Sequence, residues 1–351
     1  MGVEAQSRNT YIKRAENDRF KFLILILMPI IAFTLSLTLG RYPIAVKEIF
    51  TILIAKAAGK DIDYRKVVDT VIFQIRIPRI TAAMMVGSAL SVSGAVYQGM
   101  FKNPMVSPDI LGTSAGAGFG AALAILLSFN TIGVQFMSFA FGFMAVLLTY
   151  TISVKVGKDE GVMLVLVLAG ILVGTIFQSL TSLSKYVADP YAKLPAITFW
   201  LMGSLSAVSN RDVRVIMLPF ILGMAPLFLI RWHLNALSFG EEEAKALGVD
   251  TGRLRLLVIV CSTLLTASSI SVAGRVGWVG LVIPHLARMV VGPDFKRLLP
   301  ATALMGGTYL LIVDNVSRSI SSIEIPLGIL TSILGAPFFI YLLSKTRKGW
   351  N

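Results

Sequence analysis

The stretch VSGAVYQGMFKNPMVSPDILGTSAGAGFGA, residues 92–121, decides how the rest of the chain is read. It joins two apolar, glycine-rich runs through Asn103-Pro104 and Pro108-Asp109. Glycine lets helix backbones approach closely, and proline interrupts the ladder of backbone hydrogen bonds. Tight helix packing accounts for most of these glycines. Asn103, Pro104, Pro108 and Gly112 point instead to a re-entrant or broken helix beside a pathway, with freed carbonyls facing a cavity rather than lipid. The parallel stretch SVAGRVGWVGLVIPHLARMVVGPD, residues 271–294, has the same texture and carries Arg275, Gly277 and Pro284.

The composition agrees with a membrane setting. Of 351 residues, 55% are hydrophobic and 15% charged, and the mean hydropathy is +0.77. A water-soluble domain carries about 25% charged residues, so this chain cannot cover a solvated surface. Cys261 is the single cysteine, which excludes a disulfide scaffold. The net charge of +13 comes from Lys and Arg scattered between apolar runs, with no basic stripe for nucleic acid. Charges at membrane–water boundaries are the reading that fits.

Ten apolar runs count as candidate spans, near 22–39, 80–100, 109–128, 133–154, 161–184, 213–230, 255–273, 279–291, 300–317 and 326–343, several of them short or interrupted by Gly and Pro. The fold class expected is therefore all-α, a multi-pass protein of the cell (inner, cytoplasmic) membrane forming one transmembrane domain over 1–351. Residues 1–20 form a basic tail ahead of the first span, which places the amino terminus inside. An even number of spans then puts both termini in the cytoplasm, in keeping with Lys345, Arg347 and Lys348. Residues 41–79 form the first external loop and the start of the second span, with a short surface-lying helix over 44–58. Displaced by 180 residues, Ser91, Val92, Gly94, Val96, Pro104 and Gly112 fall on Ser271, Val272, Gly274, Val276, Pro284 and Gly292. The two segments enter from opposite sides, as in transporters with inverted repeats.

Several chemistries are missing. His233 and His285 do not form a metal-ligand spacing, so no metal site is expected. No G-x-x-x-x-G-K-[ST] loop occurs, so the chain binds no ATP through a P-loop. G-x-S-x-G and H-E-x-x-H are absent too, which leaves no catalytic residues and argues against a membrane hydrolase. The charged pair deepest in a span is Asp314 with Arg318, four apart on one helix face, a spacing suited to a structural ion pair. Energy must therefore enter from elsewhere. An ion-coupled secondary transporter is the rival class.

LNALSFGEEEAKALGVD, residues 234–250, follows the sixth span. Glu241, Glu242 and Glu243 lie at the amino end of a short helix, where its dipole favours acids, and the helix stops at Gly248. Small residues there would let a cytoplasmic partner approach closely.

Six strings in order now carry a resemblance: RIPR at 76–79, FKNPMVSPDILG at 101–112, FWLMGSL at 199–205, LNALSFGEEEAKALGV at 234–249, GWVGLVIPHLAR at 277–288, and IEIPLGILTSILGAPFFIYLL at 323–343. Together they resemble the permease subunit of the ferric-siderophore, haem and cobalamin class of ABC importers, from about residue 20 to the end. The resemblance implies a ten-helix permease working as a homodimer. It implies two separate ATPase subunits that hold ATP and Mg, and a periplasmic or lipoprotein solute-binding protein. No cofactor on this chain is implied. The cargo implied is an iron chelate (ferric siderophore), with haem, cobalamin or an oxyanion such as molybdate as alternatives. By motif position Leu237, Gly240, Glu241, Glu242, Ala244, Leu247 and Gly248 would couple to the ATPase. Arg76, Arg79 and Arg318 would face outward and pair with acids of the binding protein. Arg275 stands where the family often has proline, and near an external mouth it would attract an anionic ligand.

Overall fold

An apolar chain without water around it must close its backbone hydrogen bonds locally, and helices do this within one segment. The computed structural model describes residues 2–40, 42, 44–58, 66–157, 162–321 and 323–346, and every regular element among them is helical. The boundary cations Arg41, Lys60, Arg65, Arg347 and Lys348 lie outside the described residues.

Each of the ten apolar runs falls on a helix. In order these are α1 (Gly2–Thr38), α4 (Ile77–Met100), α5 (Thr113–Leu126), α6 (Thr131–Val156), α7 (Val162–Tyr186), α9 (Asn210–Leu229), α12 (Thr251–Ala273), α13 (Val279–Val291), α14 (Phe295–Ser319) and α15 (Leu327–Thr346). The expected surface helix is α2 (Val46–Ala57). A short α3 (Lys66–Asp69) runs through a π-helical segment, Thr70–Arg76, into α4. Three shorter helices complete the set: α8 (Lys193–Met202), α10 (Arg231–Phe239) and α11 (Glu241–Ala246). Of these, α11 is the short acidic helix that the sequence predicts, and α8 and α10 have no sequence counterpart above.

Burial separates centre from periphery. The apolar window of the span containing α4 is 83% buried and that of α12 is 72% buried. For α1, α6, α7 and α9 the share is 28–33%, so their outer faces meet lipid or another chain. One apolar core gathers the lower half of α4 with α10, α12 and the start of α14. A second gathers the start of α4 with α1, α2, α9 and the end of α14. Helix α4 threads both and ties the two ends of the bundle together.

The repeat is visible in part. Gly112 and Gly292 both take left-handed φ values, +83° and +84°, and each precedes the start of a helix. Gly274 ends α12 at φ +68°, whereas its counterpart Gly94 lies inside the unbroken α4.

Candidate functional site: a coupled break in the bundle

The quoted stretch folds as a re-entrant segment. After α4 the chain turns at Lys102, climbs back among the helices, makes a 3-10 turn at Pro108–Leu111, and starts α5 from within the bundle. Its depth follows from its neighbours. The Ile110 carbonyl lies against Gly170, eight residues into α7, about 12 Å along the axis at 1.5 Å per residue. The freed backbone groups are satisfied as they must be. Thr149 donates to the Leu111 carbonyl at 3.1 Å, and the Gln98 amide donates to the carbonyls of Val106 and Leu281, each at 3.2 Å. Gln98 in turn accepts from Arg288.

The second break, residues 274–278, meets the first. Pro108 packs on Gly280, at the start of α13. The expected break at Pro284 is absent, since α13 runs through it without interruption. Pro284 has no N–H for the Gly280 carbonyl, and that carbonyl lies against Gly94 of α4, where a Cβ would collide with it. Glycine is required there by close backbone approach. Trp278 takes φ +68°, a conformation that bulky residues adopt only when the surroundings hold them there. Between the breaks lies a cavity of about 570 Å³ lined by Asp109, Ser114, Arg275, Gly277 and Trp278, with Gly328 and Ser332 of α15. Its volume falls in the range of small-molecule sites. Gly112 sits beside Gly174 of α7 at the base of α5. Asn103 and Pro104 are corrected in their role: both are exposed at the α10 end, where the Asn103 side chain accepts from the Met105 N–H at 2.9 Å. They form the turn into the re-entrant segment, not its deep part.

The expected coupling segment is α10, α11 and the turn between them. Of the residues expected to couple, Leu237, Gly240 and Ala244 are buried against the bundle and anchor the loop from within. The exposed part is Phe239, Glu242, Leu247 and Gly248. Glu241 is half-buried and paired with Arg255 of α12. Two contacts that the sequence reading missed fix this loop. Lys102 Nζ donates to the Phe239 carbonyl at 2.9 Å. Asn235 donates to Asp294 at 2.7 Å and accepts from the Phe295 N–H at 2.8 Å. Asp294 caps α14. Burial opposes its charge, but the Lys296 N–H, the Asn235 amide and the cations Lys296 and Arg297 hold its carboxyl below the usual carboxylate range. Asn235 and Asp294 stand 59 residues apart, so no local pattern in the sequence announces the contact.

At the opposite end the three arginines expected to face outward are buried. Arg76, Arg79 and Arg318 are 3%, 6% and 7% exposed. Arg79 spends its N–H groups on Asp314 (2.9–3.0 Å) and Glu324 (2.9 Å). Arg76 donates to the carbonyls of Leu37 and Tyr42, and Arg318 to Asn315 and to Ser36 at 2.7 and 2.9 Å. The reason is that a guanidinium shielded from water must find acceptors nearby, and these lie on α1, the loop after it, α14 and the loop after α14. The Asp314–Arg318 ion pair is present but long, 3.8 Å, and Asp314 answers chiefly to Arg79.

Comparisons with known proteins agree with this architecture. A model of the FecCD transport family matches residues 26–345. The molybdate import system permease protein MolB of Haemophilus influenzae is 44% identical over 325 residues, 93% of this chain and 95% of that one. A probable iron chelatin transport system permease protein of Helicobacter pylori is 40% identical, over 79% of this chain and 83% of its own. A solved structure, described as an inward-facing conformation of a metal-chelate type ABC transporter, superposes with a TM-score of 0.83 at 42% identity, covering 93% of this chain and 99% of that one.

Proposed function

From its membership of the FecCD transport family, to which this chain belongs as a multi-pass ABC importer permease with ATP bound on a partner chain, we propose that it moves an anionic, metal-bearing cargo inward as one half of a permease dimer. A solute-binding protein delivers the cargo outside, and two ATPase subunits engage the α10–α11 loop inside. The observation that carries this reading is the Lys102–Phe239 hydrogen bond. It joins the exposed loop directly to the re-entrant segment whose upper end lines the cavity. Displacing the loop therefore displaces a cavity wall, which is the mechanical requirement of alternating access.

Two cargo chemistries share the needed charge: a ferric chelate, the expectation from the motifs, and a bare oxyanion, the cargo in the name of the relative MolB. Docking of an acidic binding protein would fall to cations other than the buried trio. Lys47 on α2 and Arg211 and Arg214 at the start of α9 are exposed on that face.

The test is reconstitution of the permease with its ATPase and binding protein in vesicles, supplied with ferric citrate or molybdate carrying a radioactive metal. ATP-dependent, vanadate-sensitive accumulation of either is expected. Uptake by the permease alone, abolished by a protonophore and indifferent to vanadate, would overturn the reading in favour of ion-coupled transport.

A further inference from the structure

Arg275 is the unusual charge of this bundle. It is exposed into the cavity, and no hydrogen bond or ion pair among the described residues holds its guanidinium. Arg76, Arg79, Arg288 and Arg318 are each tied to a carbonyl or a side-chain oxygen. The carboxylate on the same wall does not cancel it. Asp109 accepts from the Ser114 hydroxyl and lies in the turn that opens α5, where the positive end of the helix offsets its charge. Arg275 is near enough to act on Asp109 electrostatically but does not join it in an ion pair. Trp278, held in its left-handed conformation, presents its ring along the same wall, packed on Phe339. A guanidinium without an acceptor, at the wall of an open cavity, is matched by anionic oxygens, which it binds in forked geometry.

We propose that this cavity is a binding site for anionic oxygens on the cargo route, with Arg275 as the donor and Asp109 as the group that keeps the affinity low enough for release. The ligand class is an oxyanion, or the carboxylate or phenolate oxygens of a metal chelate. The proposal rests on the importer reading for its place in transport, but the site is measurable without transport.

The test uses the whole permease in lipid nanodiscs without ATPase, in equilibrium dialysis against radiolabelled molybdate and, separately, radio-iron as ferric citrate. Saturable binding of at least one is expected, weakening as salt is raised. Arg275→Gln should weaken it about tenfold, Arg275→Lys should restore most of it, and Asp109→Asn should tighten it severalfold. Molybdate alone binding identifies a free oxyanion, and ferric citrate alone identifies a chelate. Absence of saturable binding of both anions by the unmodified protein overturns the proposal, as does unchanged affinity in Arg275→Gln. Failure of ATP-driven uptake, by contrast, would sink the importer reading while leaving this binding result in place.

Discussion

At the residue scale the arginine cluster shows how charge survives inside an apolar bundle. Arg79 offers a planar fork, and Asp314 and Glu324 take both edges of it. Asp314 is fully buried, whereas the Glu324 side chain is 24% exposed. Removing one partner of a buried pair leaves an uncompensated charge, at a cost of about 3–5 kcal/mol, while a partly solvated pair contributes about 1 kcal/mol or less. Asp314→Asn should therefore lower the melting temperature of the nanodisc-embedded protein far more than Glu324→Gln. Equal shifts from the two would show that solvent reaches both carboxylates and that the cluster is not the internal lock described here. Four of the five guanidinium N–H groups of Arg79 are spent on these two carboxylates.

At the element scale, what the sequence revealed and what it hid have separate physical causes. Apolar runs are set by composition, so each of the ten appears on a helix, although α5 and α13 are only 14 and 13 residues long. Asn-Pro and Pro-Asp inside such a run cannot continue a helix, which made the re-entrant segment legible. Helices α8 and α10 are ten and nine residues long, too short to register as spans. The burial of Arg79 was hidden because its partners stand 235 and 245 residues away, and nothing local announces a pairing across that distance. The Asn235–Asp294 lock was hidden for the same reason. It gives a pH prediction. Asp294 is held below its ordinary value, so its contribution is present above the unfolded carboxylate value of about 3.9 and disappears as the pH falls through the lower folded value. The protein should keep a constant melting temperature from pH 7 to about 5 as far as this lock is concerned, then lose stability below about 4. Asp294→Ala, which deletes the cap and the Asn235 contact together, should cost about 1–2 kcal/mol at pH 7 and show a smaller acid-induced drop. An acid drop as large as in the unmodified protein would mean that other carboxylates dominate.

At the scale of the whole molecule, the contacts form one continuous chain from the exposed loop to the cavity. Phe239 is bound by Lys102, the segment that Lys102 opens is braced by Gln98 and Thr149, and its crest, Pro108, bears on Gly280 at the start of α13, just after the break that carries Arg275. Lys102 itself takes φ +50°, so the turn is held in a conformation that only a fixed neighbour would maintain. Packed interiors pass on displacement because they have little free volume to absorb it. Cutting the first link should then separate ATP hydrolysis from transport instead of abolishing either. In the reconstituted complex, Lys102→Met should leave the ATPase turning over while the ATP consumed per cargo molecule rises severalfold. Lys102→Arg, which can still reach the Phe239 carbonyl, should bring the ratio back toward the unmodified value. A purely structural role for Lys102 predicts a different pattern: uptake and hydrolysis fall together in proportion to the folded protein, and the ratio does not move. An unchanged ratio in Lys102→Met, at normal thermal stability, would show that the stroke reaches the cavity by another route, such as the Asn235–Asp294 contact onto α14 or the Glu241–Arg255 pair onto α12.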